Sequence, residues 1–179
     1  AGQGRSGLRP PGWTALALLL AAAWCLLWLP TLSIGFLSDD FLDLDHDFGV
    51  HSFARLEAGG FRPLMVAVWA FDSMAFGPCR AWGWHLTNLL FHALNSMLAY
   101  VLLRKLGLAR LPSLLGLALF SLSWAAVPSV GRVSGRTTVV ALTPLLGSFV
   151  MQLKWLRERE RESRSIPPAL PASLFLLLV

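Results

Sequence analysis

Two adjacent carboxylates, Asp39 and Asp40, stand at the end of a long uncharged stretch, and Asp43, Asp45 and Asp47 follow closely. Carboxylates that share a site cannot both ionise cheaply, so one pKa rises and the pair can supply a base or acid near neutral pH. At the exit of a membrane span such a base could deprotonate a hydroxyl acceptor that attacks a lipid-linked donor. Aspartate also caps helices, and either residue could cap a helix starting at Phe41. Both readings stay open on composition.

The run Asp43-Leu44-Asp45-His46-Asp47, with His51 beyond it, invites a metal. Asp-x-Asp-x-Asp opens a calcium hand, but the sixth position is Phe48 rather than Gly and the twelfth is Ala54 rather than Glu, which excludes one. A looser Mg²⁺ or Mn²⁺ site and a solvated acidic face both fit, and nothing in these residues requires a cofactor. His85, Asn88, His92 and Asn95 recur at spacings of three, four and three, which puts them on one polar stripe of an otherwise apolar helix. In lipid such a stripe faces other helices or a wet cavity, and hydrogen bonding between helices is the favoured reading. His85, nearest the outer surface, is the candidate for substrate contact. Arg62, Arg132 and Arg136 are basic residues on that same side, the type a phosphate-bearing donor needs, although lipid headgroups would satisfy them equally.

The elements that must hold these residues are membrane helices. Of 179 residues, 55% are hydrophobic and only 14% charged, well below the quarter or so usual in soluble domains. The net charge of +5 is spread in short clusters between apolar runs rather than gathered in one patch, which argues against a nucleic-acid binder. Cys25 lies within the first apolar run and Cys79 in a later loop, so both are expected to be unpaired. The first run, Gly12–Leu37, is 26 residues without a charge, long enough to cross a hydrocarbon core of about 30 Å, with Pro30 kinking it near its exit. It is too long for a signal-peptide core and reads as a retained span.

Further spans are expected at 82–103, 111–130 and 137–156, with a truncated one at 166–179. The chain opens on Ala1 and stops inside this last apolar run, as a piece of a longer protein would. Residues 38–81 form a long first outer loop holding seven of the ten acidic residues, and its apolar stretch from Met65 to Phe76 is short for a span and suits a helix in the interface or against the bundle. The expected fold is an all-α polytopic transmembrane helix bundle whose first outer loop contains short juxtamembrane helices. With a cytoplasmic N-terminus, ten basic residues fall on the inner side and five on the outer, which follows the positive-inside rule and sends the acidic loop to the periplasm, lumen or exterior.

The order of four short motifs adds a family. Phe36-Leu37-Ser38-Asp39-Asp40-Phe41, Phe61-Arg62-Pro63-Leu64, His85-Leu86-Thr87-Asn88-Leu89-Leu90-Phe91-His92-Ala93-Leu94-Asn95-Ser96 and Val133-Ser134-Gly135-Arg136 follow one another as in a known series. The chain resembles the N-terminal part of the polytopic GT-C glycosyltransferases, especially bacterial relatives of the protein O-mannosyltransferases and the transmembrane-and-tetratricopeptide proteins. The resemblance runs from about residue 30 to 150. It implies a multi-pass enzyme of the bacterial inner membrane that takes a sugar from a polyprenyl-phosphate donor, embedded in the lipid bilayer, and passes it to a protein, lipid or glycan acceptor on the non-cytoplasmic face. It implies that Asp40, or else Asp39, is the catalytic base, and that Arg62 and Arg136 lie near the carrier phosphate.

One departure stands out. Relatives carry a His-Pro-x-His-x-Glu arrangement before the Ser-Gly-Arg piece, where this chain has Ser123-Trp124-Ala125-Ala126-Val127-Pro128. The rival readings are therefore a non-catalytic membrane scaffold, and a transporter or flippase segment in which the histidine–asparagine stripe lines a path.

Overall fold

A computed structural model describes residues 12–37, 39–40 and 63–162, and the regular structure among the described residues is all helical, without a strand. Helix α1 is Gly12–Trp28 and tightens into a 3-10 turn over Leu29–Ser33. Next come α2, Pro63–Phe76; α3, Ala81–Lys105; α4, Arg110–Ser121; α5, the short helix Val127–Val130 behind a 3-10 turn at Trp124–Ala126; and α6, Arg136–Glu162. The acidic run from Asp43 to Asp47, His51, Arg62 and the expected span at 166–179 lie outside the described residues.

Two described helices are long and apolar enough to cross a membrane, Ala81–Lys105 and Arg136–Arg157. They coincide with the expected spans at 82–103 and 137–156 to within one or two residues, except that α6 runs on as helix to Glu162. Its extension is the alternating run of arginines and glutamates, which are good helix formers.

The other two expected spans differ in form. Pro30 has no N–H to give to Leu26 and its ring crowds that turn, so α1 ends at Trp28 and the chain narrows to 3-10 geometry rather than kinking and continuing. Thr31 Oγ1 donates to Trp28 O at 2.7 Å and Ser33 Oγ to Pro30 O at 2.7 Å, and by Ile34 the backbone is extended. The stretch 111–130 is two helical pieces, Arg110–Ser121 and Trp124–Val130, bent by 43°. The break is built locally and from a distance. Ser123 Oγ accepts from Ala125 N–H at 3.3 Å, a local turn that competes with the helix. The Ser121 carbonyl, left at the end of α4, accepts both the Trp28 indole N–H at 2.7 Å and His92 Nε2 at 3.0 Å. In hydrocarbon a broken helix persists only where neighbours satisfy the freed backbone groups, and these two side chains do that.

Helices α3 and α6 run side by side and carry most of the packing. Trp28, Leu89, Val130 and Val139 form one buried apolar cluster, with Trp24, Leu32 and Phe91 against it. Asn95 pins the pair: its Nδ2 donates to Val139 O at 2.7 Å, and its Oδ1 accepts from Thr143 Oγ1 at 2.7 Å, one residue before Pro144 interrupts the α6 ladder. A Schellman-type cap closes α3. Gly107 takes the left-handed conformation (φ 94°), its N–H donates to Arg104 O at 3.2 Å, and Leu108 N–H donates to Leu103 O at 3.2 Å.

Candidate functional site

Where α3 and α6 begin, three segments far apart in sequence meet: residues 34–37 with 39–40 after α1, the first two turns of α3, and the turn 131–135 that leads into α6. Each polar stripe residue of α3 takes a different piece of the neighbouring backbone. His85 Nε2 faces Gly35 O at 3.4 Å, and Asn88 Nδ2 donates to Arg132 O at 3.0 Å and Val130 O at 3.4 Å. His92 holds the end of α4 and Asn95 holds α6. All four are buried, so the stripe serves hydrogen bonding between elements. His92 is also boxed by aromatic rings, with Trp28 edge-on at 5.0 Å and Phe120 stacked at 5.9 Å.

The turn 131–135 is held from below by Asn88 and from the side by Asp40. Asp40 Oδ1 accepts from Ser134 N–H at 2.7 Å, across 94 positions of sequence, and Oδ2 accepts from Leu37 N–H at 2.9 Å. The second contact is a reach-back cap of the short helical start at Asp39–Asp40, reinforced by Asp40 N–H donating to Leu37 O at 2.8 Å. Asp40 is fully buried with both oxygens engaged by backbone donors, whereas Asp39 is exposed. The two carboxylates thus part: one ties two segments together, the other faces outward.

Arg136, first residue of α6, is fully buried. Its Nη1 donates to Asp72 Oδ2 in an ion pair, its Nη2 donates to Trp84 O at 2.9 Å, and the guanidinium carbon lies 5.2 Å from the centroid of the Trp84 ring. Asp72 comes from α2 and is equally buried, and its Oδ1 accepts from Thr87 Oγ1 at 2.6 Å. Burial raises the Asp72 carboxyl above its ordinary pKa, against the pull of the Arg136 charge and the Thr87 hydroxyl. Trp84 packs on Val133 of the turn with Phe36, Trp69 and Phe76 around it, and its indole N–H donates to Gly77 O at 3.0 Å.

Of the residues singled out in the sequence, the corner therefore joins Asp40, His85 and Arg136, leaves Asp39 and Arg132 facing outward, and does not include Arg62, which is undescribed. Arg136 was expected near a donor phosphate; its guanidinium is instead engaged by Asp72 and Trp84. Asp72 and Thr87 are not among the candidate site residues that the sequence offers. The signal was there, since Asp72 is the lone charge in the apolar stretch from Met65 to Phe76, and an isolated charge among such residues implies a buried partner. Among the described residues no group of three or more His, Cys, Asp or Glu is placed to hold a metal ion.

Gly135 is the residue the turn cannot replace. A Cβ there would overlap Pro128 O and crowd Ser129 Cα, which are backbone atoms that cannot swing away. Gly135→Ala is expected to destabilise the protein by about 1–3 kcal/mol, the usual cost of overpacking. Gly147→Ala, with nothing near the added carbon, is expected to be neutral or slightly stabilising because alanine favours helix. Thermal melts of the two variants in detergent check the contrast.

Comparison of the chain with protein-family models, with curated proteins and with solved structures finds no match in any of the three.

Proposed function

We propose that the chain is the membrane-embedded part of a GT-C-type glycosyltransferase, which moves a sugar from a polyprenyl-phosphate donor to an acceptor on the non-cytoplasmic face. The observation that supports this reading is the convergence of three of the four family-like motifs. Asp40 Oδ1 accepts from Ser134 N–H, 94 positions away, and Asn88 Nδ2 donates to Arg132 O, the residue just before the Val133–Arg136 motif, so the three motifs lie at one corner. Motifs that resemble a family's series have a reason to share a corner if one substrate touches them all.

In this reading the base is Asp39 rather than Asp40, because a group that accepts a proton from an incoming hydroxyl must be reachable, and Asp40 is sealed by two backbone donors. Asp39 removes the acceptor proton, the acceptor oxygen bonds to the sugar's anomeric carbon, and the carrier phosphate leaves with the bonding pair. Arg132, exposed in the turn 131–135, gives that phosphate a positive partner. Arg62 keeps its proposed place near the carrier phosphate, and His85 supports the floor of the corner through Gly35. A divalent metal is an optional addition at the acidic run after Asp40. The N-terminus is cytoplasmic, as the distribution of basic residues favours.

The test is transfer of labelled sugar from a panel of polyprenyl-phosphate donors by membranes containing the protein. Transfer with at least one donor is expected. A second reading, a non-catalytic scaffold, is favoured by one observation: Asp40 and Arg136 are both consumed in holding the fold together. No transfer from any donor, with the protein folded and inserted, would establish it over the first.

A further inference from the structure

Helix α2 has the polarity of its faces reversed. Its buried positions are Met65, Val68 and Asp72, the last carrying the charge that pairs with Arg136. Its outward positions are Ala67, Ala70, Phe71, Met74 and Ala75, which follow one another at helical spacing and contain no polar side-chain group except the thioether of Met74. Met74 is 88% exposed and Phe71 59%. A helix on a water-facing surface shows the opposite arrangement, apolar inside and polar outside.

The helix is also fixed at depth. Phe76 packs against Gly83, whose missing side chain makes room for it, and Asp72 bonds Thr87, six residues past the start of α3 and so about 9 Å along its axis. Thr137, one residue into α6, bonds the Met65 sulfur at 3.9 Å. At 14 residues α2 reaches about 21 Å, too short to cross a core of about 30 Å. A chain of rings joins its outward face to α3: Phe71 meets Phe76 at 6.4 Å, and Phe76 meets the half-exposed Trp82 at 5.3 Å. The apolar surface of α2 is thus continuous with that of a helix able to cross a membrane, where Leu90, Leu94 and Met97 are exposed.

We propose that the Ala67–Ala70–Phe71–Met74 face of α2 contacts the acyl chains of the bilayer, making α2 a membrane-embedded helix that does not span. This rests on α3 crossing the membrane, but not on any catalytic activity. The buried ion pair then gains a role: lipid covers one side of α2 and cannot solvate Asp72, so Arg136 must.

The test is nitroxide accessibility in the whole chain reconstituted in phosphatidylcholine vesicles. Single labels are placed at Met74→Cys and Phe71→Cys on α2 and at Leu94→Cys on α3, in a Cys25→Ala, Cys79→Ser background, with native Cys79 labelled separately as the water-side reference. Oxygen, which partitions into lipid, is expected to relax labels 71, 74 and 94 several-fold more than a water-soluble nickel chelate does, with the reverse at Cys79. Nickel dominating at 71 and 74 while oxygen dominates at 94 would place α2 in water and overturn the proposal. Weak relaxation by both agents at 71 and 74 would show that protein covers the face, and would overturn it too. Nickel dominating at 94 would remove the membrane reading of α3 and the proposal together.

Discussion

Asp72→Leu is expected to be among the most damaging single substitutions in this protein, at roughly 3–5 kcal/mol, because it leaves a guanidinium buried without its carboxylate. The mirror substitution, Arg136→Leu, is expected to cost less, roughly 1–3 kcal/mol, the range for an unsatisfied buried polar group. The asymmetry comes from chemistry. Arginine does not give up its proton in a protein, so Arg136 alone can only drag in water or unfold its surroundings. Asp72 alone can protonate, and burial already pushes its pKa in that direction while Thr87 still hydrogen-bonds it. The double variant Asp72→Leu/Arg136→Leu removes both charges together and is expected to recover much of the loss caused by Asp72→Leu alone. Melting temperatures of the four proteins in one detergent check this. Equal losses in the two single variants would mean that the pair is not the sealed contact described.

The second large effect concerns rate and rests on the proposed transferase reading: with Asp39 as the base, Asp39→Asn is expected to lower sugar transfer by about 10²–10⁴-fold, the range for removing a general base. Asp40→Asn is expected to behave differently. The amide keeps one acceptor oxygen but presents an NH₂ to a backbone N–H that needs an acceptor, so either Ser134 or Leu37 loses its partner. Its first signature is a lower melting temperature, and any loss of transfer follows from the displaced turn. A variant series in which Asp40→Asn abolished transfer at unchanged stability, while Asp39→Asn kept it, would reverse the assignment of the base.

These two contrasts mark how far the sequence could be read. The bounds of α3 and α6, two helices long and apolar enough to cross a membrane, were legible because they follow from length and apolar content alone. So was the bonding role of the His85–Asn95 stripe, since its spacing requires one face and its polarity requires partners. The break after Ser121 was not. Its residues average as apolar, and the groups that satisfy the freed carbonyl, Trp28 and His92, arrive from 93 and 29 positions away. The sequence puts Asp40 ahead of Asp39 as the base, and the different surroundings of the two become visible only when the fold brings Ser134 N–H to Asp40. Arg136 is a related case. An arginine near a span's end reads as a phosphate partner, and only the position of α2 reveals that Asp72 already occupies it. The transporter reading weakens on the same grounds, since the stripe that would line its path is spent on hydrogen bonds between helices.

This corner exposes Asp39 and buries Asp40 and Asp72. Carboxyl modification with a water-soluble carbodiimide and an amine, followed by mass spectrometry of the folded protein in membranes, tests it without knowledge of donor or acceptor. Asp39 is expected to react while Asp40 and Asp72 stay protected until the protein is unfolded. Modification of Asp40 or Asp72 as fast as Asp39 in the folded protein would contradict the account.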